Sequence, residues 1–133
     1  MHIQRILIIS FGILGIISTF LPWVETKTFL VDLTVNGTDG DGWFTFVLFS
    51  ICVAIAFISS HNKSINGTYF WICIICSVLA GLIVTIDIMN ASNNLDNFVG
   101  SILASSIHIG IGIYLIIFSS IAIPISMLLT KNR

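Results

Sequence analysis

Four apolar runs divide the chain, Ile6 to Pro22, Trp43 to Ser60, Tyr69 to Met89 and Ile107 to Leu129, each 17 to 23 residues long and free of charge except near an end. At about 1.5 Å of rise per residue, runs of this length approach or exceed the roughly 30 Å hydrocarbon core of a bilayer. Lipid offers the backbone no hydrogen bonds, so a spanning segment must be a helix or part of a closed barrel, and continuous apolar runs lack the alternation of barrel strands. The pattern therefore predicts helices over about 4–22, 43–60, 69–90 and 107–130. The expected fold is an all-α membrane protein, a four-transmembrane-helix bundle in one domain covering residues 1–133, with a small extracytoplasmic β element between helices 1 and 2. His2 and Arg5 ahead of the first run also fit a secretory signal, but no Ala-x-Ala-like cleavage site follows Leu21-Pro22-Trp23.

The connections carry their own patterns. In the outer loop, 23–42, Phe29, Val31, Leu33 and Val35 alternate with Thr28, Leu30, Asp32 and Thr34, a period of two that predicts a strand. Asn36-Gly37 follows as a turn signal. A lone strand is marginal, so a small hairpin is expected, pairing with Glu25 to Thr28, with the stretch after the turn, or with another chain. The loop His61 to Thr68 is short and polar, which makes helices 2 and 3 an antiparallel hairpin. From Asn90 to Ser106 the chain begins polar and then turns apolar at Phe98, Val99, Ile102 and Leu103, at helical spacing. A single helix from Phe98 to Leu129 would overshoot the bilayer, so a short surface helix broken from the last span near Gly110 and Gly112 is expected.

Composition agrees with the membrane reading. Hydrophobic residues make up 56% and charged residues 8% of the 133 residues, against roughly 25% charged in an ordinary soluble domain. The net charge of −1 leaves no basic patch for nucleic acid. Arg5, Lys63, Lys131 and Arg133 fall on one side of the expected topology and only Lys27 on the other, which places both termini in the cytoplasm of a multi-pass cell-membrane protein. Glu25, Asp32, Asp39, Asp41, Asp87 and Asp96 gather at the outer end.

The chemistry is sparse. Cys73, Ser77, Gly81 and Thr85 repeat every four residues and, with Gly12 and Gly15, form small-residue stripes suited to close helix packing in lipid. Gly112, Ser119 and Ala122 repeat the idea more loosely in the last run. Cys73-Ile-Ile-Cys76 has a redox or zinc spacing, but no second ligand pair accompanies it. Asn36 to Gly42 resembles a calcium loop in composition and fails its register. Asp87 and His108 sit at the outer ends of helices 3 and 4, where they could meet. Trp23 and Trp43 flank helix ends as interfacial aromatics do, and Pro124 predicts a local kink. No Ser/His/Asp set, paired carboxylates or phosphate-binding glycine loop can be assembled, so no enzyme, metal or cofactor is expected.

Phe20-Leu21-Pro22-Trp23-Val24 closing one helix and Gly42-Trp43 opening the next resemble a diffuse group of uncharacterised small bacterial four-helix membrane proteins. The topology and Leu21-Pro22-Trp23 also look somewhat like claudins, which carry a β-structured first outer loop. The claudin Gly-Leu-Trp and paired-cysteine signature is missing, and junction formation does not carry over.

The structured outer loop and the absence of chemistry point to a non-catalytic protein that binds a membrane or secreted protein, as an accessory subunit or an immunity or exclusion factor does. The candidate contacts are Asp87, His108, Trp23, Trp43 and Asp32. The small-residue stripes and acidic outer face support an alternative, a homo-oligomeric channel or passive permeation pathway.

Overall fold

A computed structural model describes residues 3–27, 32–59, 65, 67–96 and 107–130. Within these lie four helices, α1 (Ile3–Thr19), α2 (Gly42–Ile58), α3 (Thr68–Asp96) and α4 (Ile111–Thr130). Three strands, β1 (Pro22–Lys27), β2 (Asp32–Asn36) and β3 (Ile107–Ile109), form one sheet in the order β2-β1-β3, antiparallel throughout. Each helix packs against two others, closing a ring α1-α2-α3-α4. By length and composition two helical segments can cross a membrane, Thr68–Asn90 and Ile111–Thr130. The other two helices are equally apolar but have 17 residues each, about 25 Å of helix.

The differences from the expected boundaries have local causes. α1 stops at Thr19, three residues before Pro22, because the chain enters β1 there and Phe20 and Leu21 close the helix with amide bonds to the carbonyls of Ile17 and Ser18. α3 does not stop at Asn90 but continues to Asp96, since Asn, Ser and Asp weaken a helix by only a few tenths of a kcal/mol each and are tolerated where a long apolar helix is already formed. Ile107 to Ile109, read as the first turn of the last helix, is a strand, and α4 begins after Gly110, at Ile111. The surface helix read over Phe98 to Leu103 lies outside the described residues.

The pairing of β1 with β2 gives the expected hairpin arrangement, and its connecting residues 28–31 lie outside the described residues. β1 pairs with β2 from Lys27 opposite Asp32 to Pro22 opposite Asn36. Asn36-Gly37 is therefore not the hairpin turn but the exit from β2. There the Asp39 carboxylate accepts a bond from the Asn36 amide at 3.0 Å, and a 3-10 turn over Gly37–Asp39 feeds α2. The carboxylates that suggest a calcium loop thus serve, at Asp39, to cap a turn.

The interior is apolar and close-packed. Ile8, Phe49, Cys52, Ala56, Cys73, Ala80, Val84, Ile116, Ile123 and Met127 are fully buried. Gly12 and Gly15 let α1 lie directly on α2: a Cβ on Gly15 would stand 2.7 Å from the Phe49 ring, and one on Gly12 2.5 Å from Val53. The α3 stripe divides. Cys73 and Ser77 face inward, whereas Gly81 is half-buried and Thr85 is exposed. Most of the described helix hydroxyls bond back to their own helix, as Ser77 does to Ile74 and Ser120 to Ile117, so polar side chains enter the apolar interior with their donors satisfied. The thiols are buried and free, and Cys52 donates to the Cys73 carbonyl at 3.6 Å.

Candidate functional site at the sheet-bearing end

α1 and α3 end, and α2 and α4 begin, at the same end of the bundle, and the sheet sits there. β1 is its centre. A register irregularity between Pro22 and Val24 marks a bulge at Trp23, and such a bulge re-aims the side chain it carries. The indole turns inward. Trp23 is 5% exposed and its Nε1 donates to the Ser18 carbonyl at 3.1 Å. A Cβ on Gly112 would stand 2.7 Å from that ring, and one on Gly37 would overlap it. Gly110 donates its amide to the Trp23 carbonyl at 2.8 Å and lies directly against the Pro22 carbonyl. Trp23, a candidate interfacial aromatic and partner contact, is instead the post on which the sheet is mounted. An exposed ring would waste the bulge and three adjacent glycines.

The other candidate residues separate. Trp43 is exposed on the first turn of α2 and stacks edge-on against Phe46, with 5.8 Å between ring centroids. Asp32 opens β2 opposite Lys27 in the backbone register. His108 is exposed in the middle of β3, opposite Glu25. The expected meeting of His108 with Asp87 does not occur, because residues 107–109 are extended and paired to β1 instead of continuing α4. The charged group acting on Asp87 is Asp41, from the N-terminal cap of α2. Asp87 Oδ2 is buried without a hydrogen-bond partner.

Two carboxyls in this relation repel when both are ionised, and a shared proton or a cation relieves the repulsion. Among the described residues no third carboxylate, histidine or cysteine joins them. The pairing follows from the α2–α3 hairpin, which sets the start of α2 beside the far end of α3 although Asp41 stands 46 positions before Asp87.

Among the described residues, two strand edges at this end have no neighbour. β2 and β3 each pair with β1 on one side only among the described residues. Beside β2, Thr34 and Val35 are exposed, and Trp43 and Phe44 are exposed on the adjoining turn of α2. Chemically, the described residues of this end offer main-chain donors and acceptors at strand edges, a few apolar side chains and an acidic rim.

At the opposite end two buried polar side chains of α1 tie the bundle together. Gln4 accepts from the Ile65 amide at 2.6 Å and donates to the Met127 carbonyl at 3.3 Å. Arg5, fully buried, donates through Nη1 to the carbonyls of Ala56 at 3.2 Å and Ser59 at 2.6 Å. In the sequence Arg5 stands among the flanking charges and Gln4 carries no mark beyond being its polar neighbour in the first turn of an apolar helix.

Compared with family models, curated proteins and solved structures, the chain matches none of them.

Proposed function

We propose that this chain is a non-catalytic membrane protein of four spans that captures a protein partner at its sheet-bearing end, by adding a strand of the partner to the free edge of β2. The observation that carries the reading is the sheet order, which among the described residues leaves β2 paired on one side only. An open edge mounted rigidly on a bundle supplies main-chain hydrogen bonds for affinity and neighbouring side chains, here Val35 and Trp43, for selection. Two segments long enough to cross a bilayer, two shorter apolar helices and a lipid-facing surface rich in exposed Ile, Leu, Phe and Val support the four spans. The cation asymmetry of Arg5, Lys63, Lys131 and Arg133 against Lys27 favours cytoplasmic termini and an outward-facing sheet.

A photo-crosslinking residue at Val35, compared with one at Ile75 on the exposed face of α3, tests this in the native membrane. Discrete adducts to a second protein from position 35 and none from position 75 are expected. Adducts only between copies of this chain would replace partner capture by self-association.

One observation favours that second reading, a homo-oligomeric channel or passive pathway. A groove of about 240 Å³ opens to the lipid side between α3 and α4, lined by Val78, Gly81, Leu82, Thr85, Ser120 and Ile121, and its small residues would let another helix approach closely. Native mass spectrometry of the gently extracted protein discriminates the two, through a hetero-complex or a defined homo-oligomer.

A further inference from the structure

The two faces of the sheet differ. Residues directly opposite one another in neighbouring antiparallel strands project to the same side, and successive residues project to opposite sides, so the register sorts the side chains into rows. His108, Glu25 and Thr34 form a polar row across β3, β1 and β2, and Ile109, Val24 and Val35 form an apolar row on the other face. At β2 both rows end on exposed side chains, Thr34 and Val35, with the exposed Trp43 and Phe44 on the adjoining turn of α2. A strand laid along this edge continues both rows: an apolar residue extends the Val35 row, and the residues before and after it turn to the polar face.

Those polar residues would enter an acidic field. Glu25, Asp32, Asp39, Asp41, Asp87 and Asp96 all belong to this end of the bundle, and Lys27 in β1 is the one lysine or arginine that accompanies them. Arg5 lies at the opposite end, to which Lys63, Lys131 and Arg133 are joined in sequence. The carboxylates also flank the edge: Asp32 opens β2, and the exposed Asp39 and Asp41 follow its last residue, Asn36. A segment that carries positive charge on its polar face complements this surface. A second copy of the chain does not, because its own β2 would bring the same carboxylates into the same field, like charge against like.

We propose that the strand taken up at the β2 edge is a cationic amphipathic segment of another protein, with lysines or arginines at alternate positions on the Thr34 side and aliphatic residues on the Val35 side. This rests on the strand-capture reading above and gives it a class of partner. Main-chain hydrogen bonds along β2 hold the segment, Val35 and Trp43 receive its aliphatic face, and the acidic rim selects its charge.

The test offers the full chain, in a neutral detergent, three short dye-labelled peptides: alternating Lys and Val, alternating Glu and Val, and the Lys-Val peptide with every backbone amide N-methylated. Affinity is read by fluorescence anisotropy on the wild-type chain, and place by the yield of adducts from a photo-crosslinking residue at position 35. The Lys-Val peptide is expected to bind and to form adducts at position 35, and the Glu-Val peptide to bind about tenfold more weakly or less, as a few exposed charge pairs of opposite against like sign require. The N-methylated peptide, which keeps its charge but has no main-chain donors, is expected to lose most of the binding. Raising the salt concentration should narrow the gap between the first two, and so should the double variant Glu25→Gln/Asp32→Asn. Equal affinity for the Lys-Val and Glu-Val peptides, with adducts at position 35, would overturn the cationic class and leave strand capture standing. An N-methylated peptide that binds as tightly as its parent would place the affinity in the acidic surface alone and overturn the added strand. Adducts from position 35 to none of the peptides would overturn both readings, and adducts between copies of this chain in preference to the Lys-Val peptide would give the edge to a second copy.

Discussion

The two ends of the bundle are closed in different ways. At one end the main chain does the closing: β1 is clasped between β2 and β3, and glycines let strands, turn and helices touch backbone to backbone. At the other, two side chains do it: Gln4 and Arg5 reach from α1 to α2, to Ile65 and to α4. Main-chain closure tolerates many side chains but no added bulk at its glycines. Side-chain closure tolerates bulk less critically but depends on a few donors and acceptors, each costly to orphan in a dry interior. The sheet-bearing end should therefore be vulnerable to methyl groups, and the opposite end to isosteres.

The largest expected effect is that of Gly110→Val, which drives a branched side chain into the Pro22 carbonyl. With backbone on both sides there is little room to relax, and a loss of about 3 kcal/mol or more is expected, visible as a collapse of the thermal unfolding midpoint in detergent. Gln4→Leu keeps the volume and leaves the Ile65 amide and the Met127 carbonyl unpaired, for an expected cost of about 2 kcal/mol. Combined with Gly110→Val it should be additive, as the sites lie at opposite ends; strong coupling in that double mutant would mean that the two closures are not independent. Gly15→Ala presses the buried Phe49 ring and should cost about 1–2 kcal/mol. Trp23→Phe loses one hydrogen bond and some volume, about 1–2 kcal/mol by the same measurement, and should loosen the sheet first, as faster amide exchange in β1 than in α2. Smallest is Gly81→Ala, expected to cost less than about 1 kcal/mol because the neighbour that must yield is the Ser120 hydroxyl beside an open groove. A large loss there would show that the groove is filled in the membrane.

Helices were legible in the sequence because their signal is local. A run such as Tyr69 to Met89 needs no knowledge of its neighbours, and of the alternation from Thr28 to Val35 the part from Asp32 onward is β2, residues 28–31 lying outside the described residues. What the sequence hid is relational. β3 is three residues long, too short for any period, and exists because it pairs with β1 some eighty residues earlier. The inward turn of Trp23 follows from a bulge that only the pairing creates. Arg5 reads as a flank residue until its side chain is seen beneath the end of α2, and Asp87 meets Asp41 in place of His108 because residues 107–109 are extended and paired to β1. Hydrophobic pattern fixes which segments are helical and leaves open what the polar exceptions do.

β1 follows the first helix and β3 precedes the last, so the centre of the sheet waits for a partner that is made at the end. During synthesis, with translation at roughly 5–20 residues per second, β1 would have β2 along one edge within a second or so. Its other edge, and the Trp23 carbonyl, would stay unpaired until Ile107 to Gly110 emerge several seconds later. The order of translation thus leaves a transient opening between α1 and α4, closed only when residues 107–110 reach β1.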